Sequence, residues 1–378
     1  MATRIRRALL RIRAVQRKEW MHIGRDATTL YFAIGMPLVL LILFGYAVSF
    51  DIDHITTVVV DQDRTSQSRD LVRHLDAGPT FDVVGEAATP EAAEQAFRRG
   101  KAHMIIIVPP GYGRDLQRGD KVRVQMMIDA ADNTSAQSIL GYTARFSAHV
   151  TGLQVRQVTG RSPPLLEARI RALYNPGSRS AVFLVPGLIA VIQAMMAVVL
   201  TALAVAREWE RGSMEQLFAT PVGRLEIVAG KLAPYFVIGV AQLLIVLAVG
   251  VWLFDVPVRG SLVVLAVLSG TFLTATLAQG LLISVVAKNQ MAATQMGAMS
   301  SMLPSLLLSG FILPIANMPA VLRAFTNVIP ARHFIHGLRA VMLRDAPLSH
   351  VMGDVGRMAA FAGVMIFLCL VRFKRKVR

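Results

Sequence analysis

Long apolar stretches constrain this chain more than any other feature of its sequence. Residues 181–206 and 227–253 are each long enough to cross the hydrocarbon core of a bilayer, which takes about 20 residues of α-helix. Similar stretches cover 28–50, 261–287, 291–313 and 355–371. The central part of each contains no Asp, Glu, Lys or Arg. The sequence therefore predicts an α-helical polytopic membrane protein with six transmembrane helices.

The basic residues indicate how such a chain is oriented. The 378 residues carry a net charge of +16, and the mean hydropathy is +0.51. Lys and Arg cluster beside the apolar stretches, as in the cytoplasmic flanks of membrane helices, and a nucleic-acid-binding role is disfavoured. Both termini are therefore predicted to be cytoplasmic in a multi-pass protein of the inner membrane. Residues 1–27 are expected to form an amphipathic interfacial helix, and 372–378 a basic cytoplasmic tail.

A polar insert separates the first two apolar stretches. Residues 51–178 contain strand patterns at 55–60, 80–84, 104–108 and 122–128. Helix patterns alternate with them, including one that starts with Pro at its first position, Pro90. This alternation predicts an α/β or α+β domain between transmembrane helices 1 and 2. The orientation given above places that domain outside the cytoplasm. A long helix near 133–158 is expected to lead the chain back to the membrane.

A second outer stretch, residues 314–350, is apolar but is interrupted by three prolines, Pro314, Pro319 and Pro330. It predicts short amphipathic or re-entrant helices at the membrane surface rather than a further span. Within it, His333 and His336 have the i, i+3 spacing of two metal ligands on one helix face. No third ligand is evident nearby, so a polar interface patch is the favoured interpretation. Basic residues are usually enriched in cytoplasmic loops, but four arginines of this stretch fall on the predicted outer side: Arg323, Arg332, Arg339 and Arg344.

The loop at 207–226 has an unusual local pattern. Gly212 is expected to break the preceding helix, and Ser213 with Gln216 forms the Ser-x-x-Gln pattern of a capping box. Pro221 predicts a helix end at the residue before it. Met214, Leu217 and Phe218 would share one face of the short helix between these points. The pattern fits a two-faced helix that docks on a soluble partner, or a polar loop with accidental caps.

The segment 207–235, REWERGSMEQLFATPVGRLEIVAGKLAPY, resembles the cytoplasmic loop of ABC-2 type transporter permeases. The layout of nearly the whole chain is similar to the subgroup with a large extracytoplasmic domain after the first span. The resemblance implies that the loop is a coupling helix in contact with a separate ABC ATPase subunit. The residues it assigns to that contact are Arg207, Glu208, Glu210, Arg211, Gly212, Ser213, Glu215, Leu217 and Pro221.

The resemblance also implies a transport path between two permease copies, where spans two and five of each copy meet. It directs attention to Gln193, Met196, Gln295 and Met299. Polar residues inside spans more often bind neighbouring helices, and methionines more often pack, so those interpretations stay open. The second copy is either identical or a paralogue. Relatives of this layout also work with a periplasmic membrane-fusion adaptor and an outer-membrane channel.

The chain has no motif for hydrolysing ATP itself. The two Gly-Lys pairs, Gly100-Lys101 and Gly230-Lys231, lack both the upstream glycine and the following hydroxyl of a phosphate-binding loop. No arrangement typical of a catalytic site is evident, and no cofactor is expected on this chain; ATP and Mg would bind the ATPase. The absence of mid-span charge disfavours a proton-driven carrier. The prediction is an ATP-driven exporter of drug-like, lipophilic or amphipathic compounds. The alternative is a multi-span sensor or scaffold with a ligand-binding ectodomain.

Overall fold

A computed structural model gives the structure of the chain. It describes residues 2–47, 54–78, 80–120, 122–129, 139–144, 146–147 and 180–373. The chain divides into two compact units, one formed by 1–49 with 173–378 and the other by 50–172.

The first unit begins with a long basic helix, α1 (Ala2–Arg25), which has Arg or Lys on most of its turns. A short helix α2 (Ala27–Leu30), a π-helical turn (Tyr31–Gly35) and α3 (Met36–Ala47) follow it. The predicted first span, 28–50, is therefore a continuous helical stretch that contains one π-helical turn, with helical backbone angles at Leu30 and Met36 on either side of it. Its last residues, 48–50, lie outside the described residues.

The second unit contains a four-stranded mixed sheet in the order β2-β1-β3-β4. Strands β1, β2 and β3 are parallel and β4 is antiparallel to β3. Its elements are β1 (Ile55–Asp61), α4 (Ser66–Asp76), β2 (Phe81–Glu86), α5 (Pro90–Arg98), β3 (Met104–Val108), α6 (Tyr112–Arg118) and β4 (Gln125–Ile128). Thr89 caps α5, and Pro90 is its first residue, as predicted.

Both faces of this sheet are covered by side chains. Every residue of β3, Met-Ile-Ile-Ile-Val, is buried. Val59 and Ile106 pack with Leu71 and Leu75 of α4, whereas alternate residues of the same strands pack on the other face with Ala93 of α5. Burial on both faces explains why β3 is continuously apolar. The long helix predicted at 133–158 falls mostly outside the described residues.

The first unit resumes with a helical bundle. Its helices are α7 (Ser180–Glu210), α8 (Ser213–Ala219), α9 (Arg224–Phe254), α10 (Leu262–Ala287), α11 (Gln290–Leu307), α12 (Ala320–Phe325), α13 (Pro330–Arg344) and α14 (Leu348–Arg372). Among the described residues, four of these are long and apolar enough to cross a membrane: α7, α9, α10 and α14.

Helix α11 differs from the predicted fifth span. The prediction extends to residue 313, but the helix ends at Leu307. Gly310 adopts a left-handed φ of +79°, which few residues other than glycine accept, and the Ser309 hydroxyl bonds to the Ser305 carbonyl and the Phe311 amide. The helix also has too polar a composition to be counted with the four apolar ones. These local bonds stop the helix before the apolar stretch is complete.

The stretch at 314–350 contains 3₁₀ turns at Ile315–Asn317 and Thr326–Val328 as well as α12 and α13. Helix α13 does not merely lie on the surface of the bundle. Its Phe334 is fully buried and stacks on Phe272 of α10, with 4.1 Å between ring centroids. Gly337 lies against Leu268 of the same helix. Helix α13 is therefore packed into the bundle against α10.

Small residues allow α7 and α10 to approach closely. A Cβ atom at Gly280 would lie 2.1 Å from Thr201 Oγ1 and 2.3 Å from the Val198 carbonyl oxygen, so only glycine fits there. One turn along, the Ser284 hydroxyl accepts the amides of Val205 and Ala206 at 3.0 and 2.8 Å. Close backbone approach and polar bonds of this kind hold membrane helices together, because lipid supplies little hydrophobic drive between them.

The succession of antiparallel helices gives the bundle two distinct ends. At the first end the chain leaves after Ala47 and re-enters at Ser180. The Tyr46 ring lies 5.2 Å from that of Phe254, the last residue of α9, and the Arg259 amide donates to the Met342 carbonyl. The other end carries α1, the segment Arg207–Pro221 and the start of α11. The insert 51–178 and the segment Arg207–Pro221 are thus attached to opposite ends of the bundle.

Candidate functional site

The segment Arg207–Pro221 reverses the chain between two long helices. Helix α7 ends at Glu210, and Gly212 takes a left-handed φ of +68°. Helix α8 then begins at once and ends before Thr220, which is extended. The predicted break at Gly212 and the predicted end at Thr220 are both confirmed.

The predicted capping box is wrong. The residue that precedes α8 is Gly212, and no side chain caps the helix. The Ser213 hydroxyl instead donates to the Glu208 carbonyl at 3.3 Å. The tight turn at glycine brings Ser213 back over the last turn of α7, so its hydroxyl satisfies a carbonyl there rather than an amide of α8.

The apolar face of α8 is occupied within the chain. Met214 is fully buried and belongs to a cluster with Val205, Ile227 and Cys369, and Leu217 packs against the same cluster. Met214 and Leu217 on this face are therefore packed within the chain. For Glu215 and Phe218 the structure describes only the backbone. Among the side chains of the segment that the structure describes, the exposed ones are polar or small apart from Pro221: Glu210, Arg211, Gly212, Gln216 and Thr220.

A buried ionic cluster fixes the segment to its neighbours. Lys231 Nζ of α9 lies 2.6 Å from Glu19 Oε1 of α1 and 2.8 Å from Glu208 Oε2 of α7. The side chains of Lys231, Glu19 and Glu208 are only 1%, 7% and 12% exposed. Lys18 Nζ binds the other oxygen of Glu208 at 2.6 Å. Each buried charge thus has an opposite charge in contact, as burial requires.

Two further contacts join this end of the bundle. Arg207 Nη1 lies 2.6 Å from Asp26 Oδ2, and the Thr29 hydroxyl donates to the same carboxylate. The Thr29 bonds, with the nearby Arg207 guanidinium, lower the pKa of Asp26 to about 2. Glu210 accepts both the backbone amide, at 2.8 Å, and the side-chain amide of Gln290, the first residue of α11. The segment is therefore bonded to α1, α9 and α11.

The sequence carries a partial signal for the ionic cluster. Glu19 is the one acidic residue of α1, and Lys231 is the last charged residue before the apolar part of α9. A charge at the edge of an apolar stretch favours pairing with a charge of opposite sign. The contact could not be assigned from spacing, because 212 residues separate the two.

The four residues suggested for a transport path fall into two groups. Gln193 and Met196 of α7 are buried inside the unit, and Gln193 donates to the Gly239 carbonyl at 3.1 Å. Gln295 and Met299 lie exposed on α11. Gln193 thus binds a neighbouring helix within the chain, whereas the pair on α11 faces outward.

The two histidines of α13 share a partner that sequence reasoning missed. Asp354 of α14 lies with Oδ1 3.0 Å from His333 Nδ1 and Oδ2 2.7 Å from His336 Nδ1. The hydrogen bond to Asp354 raises the pKa of His336. No group of three or more potential ligands is arranged to hold a metal ion within the described part of the chain. The site is an interhelical polar contact.

Comparison with known proteins finds relatives over nearly the whole chain. Residues 27–371 match a family model described as ABC-2 family transporter protein. The chain is 33% identical over 369 residues to the "Probable multidrug ABC transporter permease YbhS" of Escherichia coli K12, with 97% of each chain covered. It is 29% identical over 362 residues to the related permease YbhR, covering 96% of this chain and 97% of that one. It is also 27% identical over 326 residues to the "Inner membrane transport permease YhhJ" of the same organism, covering 84% and 85%.

Proposed function

Because the chain belongs to the ABC-2 family of transporter proteins, we propose that it is the permease subunit of an ATP-driven exporter. Members of this family are membrane transport subunits rather than the ATPase, so family membership implies an ABC ATPase partner. The main observation in support of coupling between this chain and an ATPase is the position of Arg207–Pro221. It lies at the end of the bundle opposite the attachment points of the insert, and it presents an exposed polar surface.

The ATPase would bind the polar face of the segment. Arg211, Gln216 and Thr220 are exposed there, whereas Met214 is fixed inside the bundle. A helix seated firmly on its own membrane unit can transmit a push, because its apolar side cannot move independently. We therefore assign docking to the exposed face of α8 and not to its apolar face.

The ionic contacts would carry movement of the segment into the bundle. Glu208 and Arg207 tie it to α1 and α9, and Glu210 ties it to the start of α11. Motion imposed on α8 by ATP-driven closure of the ATPase would shift these helices together. Arg207, Glu208 and Glu210 thus act as internal links in this proposal, rather than as surface contacts with the ATPase.

The transport path would form where the exposed face of α11 meets a second permease, either an identical copy or a paralogue. Gln295 and Met299 lie on that face together with the exposed Met291, Met296 and Met302. Methionine side chains adapt to apolar surfaces of varied shape. The relatives named as multidrug permeases support drug-like, lipophilic or amphipathic cargo. Gln193 and Met196 line the inner side of α7 in this arrangement, behind the path rather than in it.

We propose six crossings of the inner membrane, with both termini cytoplasmic. Four would be the apolar helices α7, α9, α10 and α14. The other two would be α11 and the helical stretch from α2 to α3, which contains a π-helical turn. The short α11 spans about 27 Å at 1.5 Å per residue, slightly less than the hydrocarbon core. The insert 51–178 would be extracytoplasmic. A periplasmic adaptor and an outer-membrane channel would extend the path in a Gram-negative cell.

Co-purification of the permease with its ATPase tests the coupling proposal. Arg211→Glu and Gln216→Arg change exposed residues of the segment, and both variants should fold normally yet retain less ATPase. Arg259→Glu is the matched control, because Arg259 is exposed at the opposite end of the bundle. Full retention of the ATPase by both segment variants would contradict the proposed docking surface.

A further inference from the structure

A cavity of about 560 Å³ opens at the end of the bundle opposite Arg207–Pro221. Its walls come from the start of α7, the turn at residues 309–310, helix α13 and the first turns of α14. It lies within the first unit and has no role in the coupling described above. The residues that line it include several cations and several apolar side chains.

Arginines supply most of the charge in the cavity lining. The cavity is lined by Arg332, Arg339, Arg344 and Arg357, against a single carboxylate, Asp354. That carboxylate already binds His333 and His336, and its contact with Arg357 Nη1 is long, at 3.8 Å. Burial and the nearby charge of Arg357 lower the pKa of Arg332. The cavity therefore holds an excess of positive charge that the described lining residues do not neutralise.

Arg339 is held in position by contacts with Phe183 and Gly310. Its guanidinium donates to the Phe183 carbonyl at 3.1 Å and to the Gly310 carbonyl at 3.4 Å, and it lies 3.8 Å from the Phe183 ring centroid. Its buried Nε atom has no hydrogen-bond partner among the described residues. Burial of the guanidinium lowers the pKa of Arg339 to about 10. An unpaired donor on a buried cation favours binding of an anion.

Apolar side chains, called here the apolar wall, also line the cavity and alternate with the arginines along α13. The apolar lining residues are Phe183, Ile315, Ile335, Ala340 and Leu343. A small inorganic anion would use only the arginines and leave this wall in contact with water. A molecule that joins an anionic group to a hydrocarbon chain would contact both kinds of side chain. Arginine pairs with phosphate in a bidentate manner, and the hydrocarbon chain would cover the apolar residues.

We propose that this cavity binds an amphipathic anion, with a phosphate-type head group among the arginines and an apolar tail along Phe183, Ile335 and Leu343. A lipid head group and free phosphate share this recognition chemistry, and the apolar wall favours the lipid. The site also gives a physical reason for placing several arginines at the end of the bundle where basic residues are normally scarce. The proposal does not depend on the exporter function.

Equilibrium binding of a fluorescent phosphatidylglycerol to the full-length protein in a non-ionic detergent tests the site. Arg344→Gln with Arg357→Gln removes two exposed charges and leaves the bonds of Arg332 and Arg339 intact. Because each basic residue near an anionic lipid contributes about 1 kcal/mol, the double variant should bind about 10- to 30-fold more weakly. Arg259→Gln with Arg323→Gln is the control, because both residues are exposed at the same end and neither lines the cavity.

The control variant should bind like the unchanged protein, and phosphatidylcholine should bind more weakly than phosphatidylglycerol. Inorganic phosphate in millimolar excess should compete poorly, which would identify the lipid as the preferred source of the anion. Equal affinities of the site variant and its control would overturn the proposal, as would equal binding of the two lipids. Full displacement by inorganic phosphate would overturn the assignment of the apolar wall. Size-exclusion profiles verify that each variant is folded.

Discussion

Lys231→Met is the most informative perturbation of the buried ionic cluster. The substitution keeps the length and apolar stem of the side chain and removes its charge. Glu19 then loses its 2.6 Å partner while still buried, and Glu208 keeps only Lys18. The variant therefore isolates the cost of leaving carboxylates unpaired between α1, α7 and α9.

The expected loss follows from that geometry. Removing one partner of a buried ion pair typically costs about 3–5 kcal/mol, because the other charge stays desolvated. Lys18 continues to neutralise Glu208, so the lower end of that range, about 3 kcal/mol, is expected. Adding Glu19→Gln to Lys231→Met removes the orphaned charge and should restore part of the loss. The difference from additivity should fall within about 0.5–3 kcal/mol, the usual range for residues in contact.

Denaturant-driven unfolding of the detergent-solubilised protein, followed by circular dichroism, measures these changes. Lys288→Met is the matched control, because Lys288 is exposed at the same end and its ammonium group lies over the Trp209 ring, 4.8 Å from the ring centroid. A cation–π contact at an exposed site is worth about 0.5–1 kcal/mol, so the control should lose less than that. Equal losses for Lys231→Met and Lys288→Met would refute the assignment of Lys231 as a buried link.

Two further predictions concern the bundle. Gly280→Ala should cost about 1–3 kcal/mol of unfolding free energy through overpacking, since its new methyl group meets Thr201 and the Val198 backbone. Gly270→Ala in the same helix, where the nearest atom is Phe236 Cζ at 3.6 Å, should be neutral or slightly stabilising in the same denaturant assay. The second prediction concerns pH. Asp354 raises the pKa of His336, so this pair should stabilise the protein below about pH 6.5 and lose that effect as pH rises through the higher folded pKa. His336→Gln should reduce the pH dependence of the unfolding free energy. The reduction should be less than about 1 kcal/mol because the ring is partly exposed, and the control His350→Gln should leave the pH dependence unchanged.

Hydropathy was sufficient to locate the long helices, because a bilayer admits few alternatives to a continuous apolar helix. Ser180–Glu210 and Arg224–Phe254 lie where spans two and three were predicted. The end of α11 could not be predicted in this way. It depends on a left-handed Gly310 and on hydroxyl bonds of Ser309, which interrupt the helix within an apolar stretch.

The sequence predicted the position of α8 but not which of its faces is exposed. The pattern around Gly212 and Pro221 gave the position of α8, because backbone preferences of glycine and proline are local. Which face of α8 is free depends on contacts with Ile227 and Cys369, which are distant in sequence. The Asp354 partner of His333 and His336 was missed for the same reason, since it lies on another helix.

Cysteine accessibility measures most directly whether Arg207–Pro221 faces the ATPase side of the membrane. Cys369 is the only native cysteine, so Cys369→Ala gives a background for Gln216→Cys and Val321→Cys. Both positions are exposed, at opposite ends of the bundle. A membrane-impermeant maleimide should label Val321→Cys from outside the cell. It should label Gln216→Cys only in inverted vesicles, and bound ATPase should reduce that labelling. Labelling of Gln216→Cys from the same side as Val321→Cys would contradict the account.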